Sequence, residues 1–111
     1  MQVLRAADRA PSRSRTVRFE GAAHGADISF FAVDNDPGQG PGLHIHPYPE
    51  TWIVHSGRAR LVAGEETTEV GPGDIAVVPP WVPHKFTNVG EGRLVIFCVH
   101  AAGTMVQENL E

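Results

Sequence analysis

Lysine and cysteine are nearly absent from this chain of 111 residues: Lys85 and Cys98 stand alone. A single cysteine excludes an internal disulfide framework and gives no sign of an oxidising compartment. It sits in the apolar run Leu94–Val99, where a buried, inert thiol is the expected role. No apolar run reaches the length of a membrane span and no secretory leader is visible, so a cytoplasmic protein with no membrane partner is expected. A basic excess is missing too. The net charge of −4 gives no electrostatic reason to expect nucleic acid as a partner. Long 3.6-residue periodicity and internal repeats are also absent, which argues against a helical bundle or a solenoid.

What the chain does have is punctuation. Twelve glycines and nine prolines in 111 residues fit frequent turns between short strands. The length sets one domain with one core. Residues 1–20 carry five arginines against two acids, a balance of +3, which leaves −7 on the rest. Residues 1–15 show little periodicity and read as an N-terminal arm, solvated or crossing to a neighbouring subunit. Residues 16–111 read as the folded domain. Within it, strands are expected at Thr16–Glu20, Asp27–Val33, Leu43–His46, Glu50–His55, Arg58–Ala63, Glu66–Val70, Ile75–Val78, His84–Asn88 and Arg93–His100. Turn formers dominate Asp34–Gly42, which reads as a loop. Met105–Glu111 reads as a short helix or an extended tail. About nine short strands at close spacing argue for an antiparallel sandwich or barrel.

The chemistry concentrates in the stretch GQGPGLHIHPYPETWIVHSG, Gly38 to Gly57. His44 and His46 are two apart, so on a strand both point to one face. Glu50 keeps that parity if the Pro47–Pro49 turn does not shift the register. A third imidazole, His84, follows the rigid PPWVP connection. Three imidazoles and a carboxylate make a coordination shell for a divalent metal with positions left open.

The spacing resembles that of the cupin superfamily. Gly38, His44, His46, Glu50 and Gly57 match the first cupin signature, and Gly73, Pro79, His84 and Asn88 match the second. Trp81 stands where the pattern has glycine. A tryptophan resists positive φ, so the turn is expected to change shape or carry strain. The resemblance implies an all-β, single-domain cupin jelly roll, a double-stranded β-helix. It implies a metal site of His44, His46, Glu50 and His84, with Fe(II) or Mn(II) favoured over Zn, Ni, Co or Cu.

Trp52, Trp81, Phe86 and Tyr48 are the candidate pocket residues, which points to an aromatic or hydrophobic small molecule as substrate or ligand. No catalytic acid or base is assigned. Tyr48 and His55 are near in sequence, but His55 has the parity to face away from the metal. Arg58 and Arg60 read as a solvated strand face. The resemblance implies a metal-dependent oxidoreductase of the dioxygenase type. The alternatives are a metal-dependent isomerase, decarboxylase or cyclase, and a non-catalytic small-ligand-binding cupin. Exposed strand edges need cover, so a homodimer is expected.

Overall fold

The computed structural model describes residues 1–9 and 14–111. Its strands run in chain order as β1 (Val17–Glu20), β2 (Ser29–Asn35), β3 (His44–Ile45), β4 (Glu50–Ser56) and β5 (Ala59–Ala63). They continue as β6 (Glu66–Val70), β7 (Ile75–Val78), β8 (His84–Asn88), β9 (Leu94–His100) and β10 (Glu108–Asn109). Two sheets form, ordered β1-β2-β9-β4-β7 and β10-β3-β8-β5-β6, with every pairing antiparallel. This is the expected jelly-roll sandwich.

Period-2 patterning decides which side chains go inside. In β9, Leu94, Ile96, Cys98 and His100 are buried, while Val95, Phe97 and Val99 are only half-buried. Trp52 and Val54 of β4 point inward the same way, and Leu61 and Phe86 close the core from the opposite sheet. Each large apolar side chain buried here contributes roughly 1.5–3 kcal/mol. The inner faces are apolar at one end and polar at the other, and the polar end carries the site.

Some boundaries differ from the sequence reading. Asp34 and Asn35 were expected in the loop but extend β2, because they pair with Val95 and Leu94 of β9. Cross-strand pairing overrides their turn preference. The tail is extended rather than helical, and its two-residue β10 pairs with β3. That strand brings the total among the described residues to ten. Gly21–His24 forms a single turn of 3-10 helix rather than a simple turn. Residues 10–13 of the expected N-terminal arm lie outside the described residues. Among the described ones, Gln2 Nε2 donates to the carbonyl of His24 at 3.0 Å, tying the start of the chain to the turn after β1.

Gly57 follows a register shift in the β4–β9 pairing, between Val54 and Ser56. Its φ is +88°, and a Cβ there would lie 2.4 Å from the Arg93 carbonyl oxygen. Only glycine satisfies both the backbone angle and the close approach.

Candidate metal centre

The register of the strands assembles the site. Glu50 of β4 lies directly across from His100 of β9, in the first sheet. His44 of β3 lies directly across from His84 of β8, in the second. His46 sits just past β3, and the burial pattern continues through the proline turn: His46, Tyr48 and Glu50 are buried, while Pro47 is exposed and Pro49 intermediate. The prolines therefore do not shift the register. Ligand atoms of His44, His46, Glu50 and His84 all lie within 4.8 Å of one another. The four residues are 1–5% exposed, so water does not dilute what they do.

Each of the three imidazoles is held by its Nδ1. His44 Nδ1 donates to the Gly42 carbonyl at 2.7 Å, His46 Nδ1 to the Val106 carbonyl at 2.8 Å, and His84 Nδ1 to the Val82 carbonyl at 2.7 Å. A carbonyl only accepts, so the proton belongs on Nδ1 and a neutral ring presents a bare Nε2. Those Nε2 atoms converge on Glu50 Oε1, at 3.0 Å from His46 and 3.5 Å from His84. Yet His46 Nε2, His84 Nε2 and Glu50 Oε1 are buried without a directed hydrogen-bond partner. Lone pairs of two nitrogens and a carboxylate oxygen thus face a common point. A cation resolves that conflict, and anchored imidazole ligands are the usual outer support of a metal site. The donor set fits a divalent ion.

The electrostatics follow. Burial pulls the Glu50 carboxyl upward, but His100, His46 and His84 outweigh it and hold the group far below the usual carboxylate range. For His84, burial favours the neutral ring, but Glu50 and the Val82 carbonyl outweigh it and the value is raised. Burial dominates at His44, whose value is lowered despite the Gly42 carbonyl.

His100 is the residue that sequence reasoning missed. Its Nε2 lies 2.9 Å from Glu50 Oε1. Its Nδ1 lies 2.7 Å from the Tyr48 hydroxyl, which in turn accepts from the Val106 N–H at 3.1 Å. The hydroxyl proton is the one left to bridge to Nδ1, so the imidazole proton falls on Nε2, facing Glu50. Val106 therefore serves both sides, with its carbonyl on His46 and its N–H on Tyr48. The tail is fixed further where Leu43 N–H donates to Glu111 Oε1 at 2.8 Å and Leu110 N–H to the Leu43 carbonyl at 2.8 Å.

A cavity of about 510 Å³ opens beside the cluster, with His44, Glu50 and His100 on its wall. Phe31, Val33, Phe86 and Cys98 make the apolar lining. Asn35, Gln39 and Gln107 add amides, and Ser14–Thr16 from the end of the N-terminal segment also border it. Arg15 is the one lysine or arginine among the described lining residues. Its Nη2 donates to Asp36 Oδ1 at 2.9 Å, and its Nε is 4.0 Å from Asp34 Oδ2. Among the described residues, the cavity mouth thus carries no uncompensated cation. Burial pushes the Cys98 thiol well up, so it stays protonated and inert.

Of the four candidate pocket residues, Phe86 lies on the cavity wall. Trp52 packs behind the ligands, its ring 5.5 Å from that of His84. Tyr48 is buried against His46, with ring centroids 5.0 Å apart. Trp81 is 65% exposed and does not border the cavity. Its backbone keeps φ at +62°, the glycine-like angle, so the turn carries strain rather than changing shape. Its N–H donates to the His46 carbonyl at 2.8 Å, which staples the strained turn to the metal strand. His55 is exposed, as its parity requires, and Arg60 pairs on the surface with Glu69 at 3.2 Å.

The family model for the cupin domain matches residues 32–100. The chain belongs to the cupin family. It is 38% identical over 69 residues to an uncharacterized protein of Streptomyces coelicolor, covering 62% of this chain and 64% of that one. It is 37% identical over 57 residues to an uncharacterized protein of Methanocaldococcus jannaschii, covering 50% of this chain and 46% of that one. The matched stretch therefore spans about half to two thirds of these curated relatives.

Among solved structures, this cupin resembles an uncharacterized conserved Klebsiella pneumoniae protein with a double-stranded β-helix domain. The TM-score is 0.74 at 29% identity, over 92% of this chain and 90% of that one. It also superposes on Lactobacillus farciminis oxalate decarboxylase in its formate complex, with TM-score 0.80 at 21% identity, over 91% of this chain and 32% of that one. The latter likeness is one of fold. No helix among the described residues is long and apolar enough to cross a membrane.

Proposed function

We propose that this cupin is a metal-dependent enzyme acting on a small, uncharged aromatic or hydrophobic molecule, with oxidation of the dioxygenase type as its reaction. One observation carries the reading. Three backbone-anchored imidazoles and Glu50 aim their free electron pairs at one point, and His44 and Glu50 of that set form part of a cavity wall. A divalent iron or manganese held there supplies Lewis acidity and one-electron chemistry with dioxygen.

The chain's own residues define what enters. Phe31, Val33 and Phe86 favour an apolar body and exclude water, while Asn35, Gln39 and Gln107 offer amides to a hydroxyl or carbonyl. Arg15 is already neutralised by Asp36 and Asp34, so among the described residues nothing but the metal favours an anionic substrate. The cavity, about 510 Å³, is far larger than the two-carbon diacid handled by the oxalate decarboxylases that share the fold.

Metal content of the untagged protein, beside a His84→Ala variant, is the first test. Oxygen uptake and CO₂ release are then followed with a panel of catechols, flavonoid-type phenols and aromatic acids. Near-stoichiometric iron or manganese, lost in the variant, with ligand-dependent oxygen uptake, is the expected result. CO₂ release without oxygen uptake moves the assignment to a decarboxylase. Tight ligand binding without turnover moves it to a binding module. No metal after anaerobic reconstitution overturns the reading.

A further inference from the structure

Two of the four ligands, His44 and His46, hang on very little sheet. Among the described residues a single register pair, His44 with His84, joins β3 to β8. The other side of β3 is covered by residues 105–111, where Glu108 pairs with Ile45 and Asn109 with His44. These residues run as a strap pinned by a carboxylate at each end. At one end Met105 N–H donates to Glu20 Oε2 at 3.0 Å. At the other, Glu111 accepts from the Leu43 N–H at 2.8 Å and from Lys85 Nζ at 3.2 and 3.3 Å. Between them, the Val106 carbonyl anchors His46 Nδ1, the Val106 N–H donates to Tyr48, and Gln107 borders the cavity. Polar contacts hold the strap, with almost no burial. Residues 106–111 are exposed, the apolar Val106 and Leu110 at 52% and 46%. A segment with few buried apolar contacts and exposed backbone hydrogen bonds opens locally while the rest of the fold stays closed.

We infer that residues 105–111 gate the metal centre, with Val106 and Glu111 as positioning residues, and that the strap must swing clear before the ion leaves. The inference rests on the metal reading of the site. While the strap is closed, the Val106 carbonyl fixes the proton of His46 on Nδ1 and aims Nε2 inward. Glu111 meanwhile holds the N–H of Leu43, the neighbour of His44. Both ligands on this side are thus tied to one loosely packed element. Opening does not release the strand itself, because the His46 carbonyl still accepts from the Trp81 N–H and His44 still pairs with His84. It removes the anchor of the His46 ring, the donor behind Tyr48 and the Gln107 part of the cavity wall. Closed strap and bound metal therefore favour each other. The coupling is reciprocal: the factor by which closure tightens metal binding is the factor by which metal favours closure.

The test uses the full chain and Zn(II), which is silent in magnetic resonance. Amide hydrogen exchange comes first. In the metal-free protein the Val106 and Leu110 amides should exchange well before those of Ile96 and Cys98 in β9. Zn(II) should slow the strap amides by about 10-fold, within the usual range of coupling between sites. Two variants then move Zn(II) release, followed with a chromophoric chelator, in opposite directions. Lys85→Met with Glu111→Gln loosens the strap and should speed release about 10-fold, the lower end of what losing a ligand's outer anchor costs. Gly42→Cys with Glu111→Cys locks it. A Cβ on residue 42 would lie 3.3 Å from that of Glu111, just under the span of about 3.5–4.5 Å that a disulfide bridges. The oxidised form should release Zn(II) more slowly than the wild type, a result that a merely structural role for the tail does not produce. Strap amides as protected as β9 without metal overturn the inference, and so does release that neither variant changes. A wild-type chain that binds no Zn(II) overturns the metal reading together with it, whereas equal binding and release in all three proteins overturns the gate alone.

Discussion

His100 Nε2 lies 2.9 Å from Glu50 Oε1, the same oxygen that His46 Nε2 and His84 Nε2 approach at 3.0 and 3.5 Å. The contact spans the β4–β9 ladder, where the two residues are direct partners. With Tyr48 behind it, His100 sets the orientation of the one anionic ligand. His100→Ala should weaken metal binding by about 10- to 100-fold, the usual loss when an outer-shell partner of a ligand is removed. Tyr48→Phe should lie at the low end of that range, since it frees the His100 ring without removing it. Titration of the metal-free protein with Mn(II) or Co(II), followed by calorimetry, measures both. A His100→Ala protein that binds as tightly as the wild type would reduce this pair to packing.

Metal and fold should be coupled. The four ligands come from both sheets and from the loop after β3, so an ion bound there ties the sandwich together at its polar end. At 100 times Kd, a ligand specific to the native state stabilises by about 2.7 kcal/mol. For a domain of this size that corresponds to roughly 10 °C in Tm. Chelation should remove that increment, and His84→Ala should show none of it. Thermal melts with and without chelator decide the point.

The ligand set was legible because its spacing is local. His44 and His46 share parity on one short strand, and Glu50 keeps it through Tyr48 because extended backbone is what the two prolines favour. His100 follows no local spacing. What brings it to Glu50 is the register of β4 against β9, a long-range pairing. One signal was present: in Leu94, Ile96, Cys98, His100 a polar residue occupies an inward position of a strongly alternating strand. The roles of Gly42, Val82 and Val106 were invisible, since their carbonyls act and a carbonyl has no residue type. Arg15, which the sequence did not single out, and Trp52, expected at the pocket, depend on placement in the folded chain. The first reaches the cavity by tertiary placement, and the second shares the ligands' parity yet packs behind them.

The metal-free protein should have two opposed pH limbs. The folded value of Glu50 lies below its ordinary 4.5, so its contribution is present above that value and is lost as pH falls through the folded one. The folded value of His84 lies above its ordinary 6.5, so its contribution is complete below 6.5 and is lost as pH rises through the folded value. The stability that the His84–Glu50 pair contributes is therefore greatest between about pH 4.5 and 6.5. His44, lowered from 6.5, opposes the alkaline limb, since its contribution is present above that value. Metal binding reverses the picture at His84, because the ion must displace a proton that Glu50 favours. Metal affinity should rise as pH increases through the raised His84 value and flatten above it, and His84→Ala should remove the alkaline limb of the metal-free melt. Tm against pH, with and without metal, separates the two.

Trp81 holds φ at +62° in a turn where its side chain is 65% exposed, so its indole offsets little of the strain. A left-handed backbone costs a non-glycine residue about 1–2 kcal/mol. Glycine adopts that angle freely but gains freedom in the unfolded chain, which returns about 0.5–1 kcal/mol of the benefit. The N–H bond to the His46 carbonyl involves the backbone and survives the substitution. Trp81→Gly should therefore stabilise the protein by somewhat under 1 kcal/mol and leave metal affinity unchanged, because the three Nδ1 anchors do not involve residue 81. Denaturant midpoints at constant m-value report the first quantity and metal titration the second. A loss of stability would mean that the indole is covered in solution by a partner that the isolated chain does not show, and a loss of ligand affinity with metal intact would place Trp81 at the cavity rim.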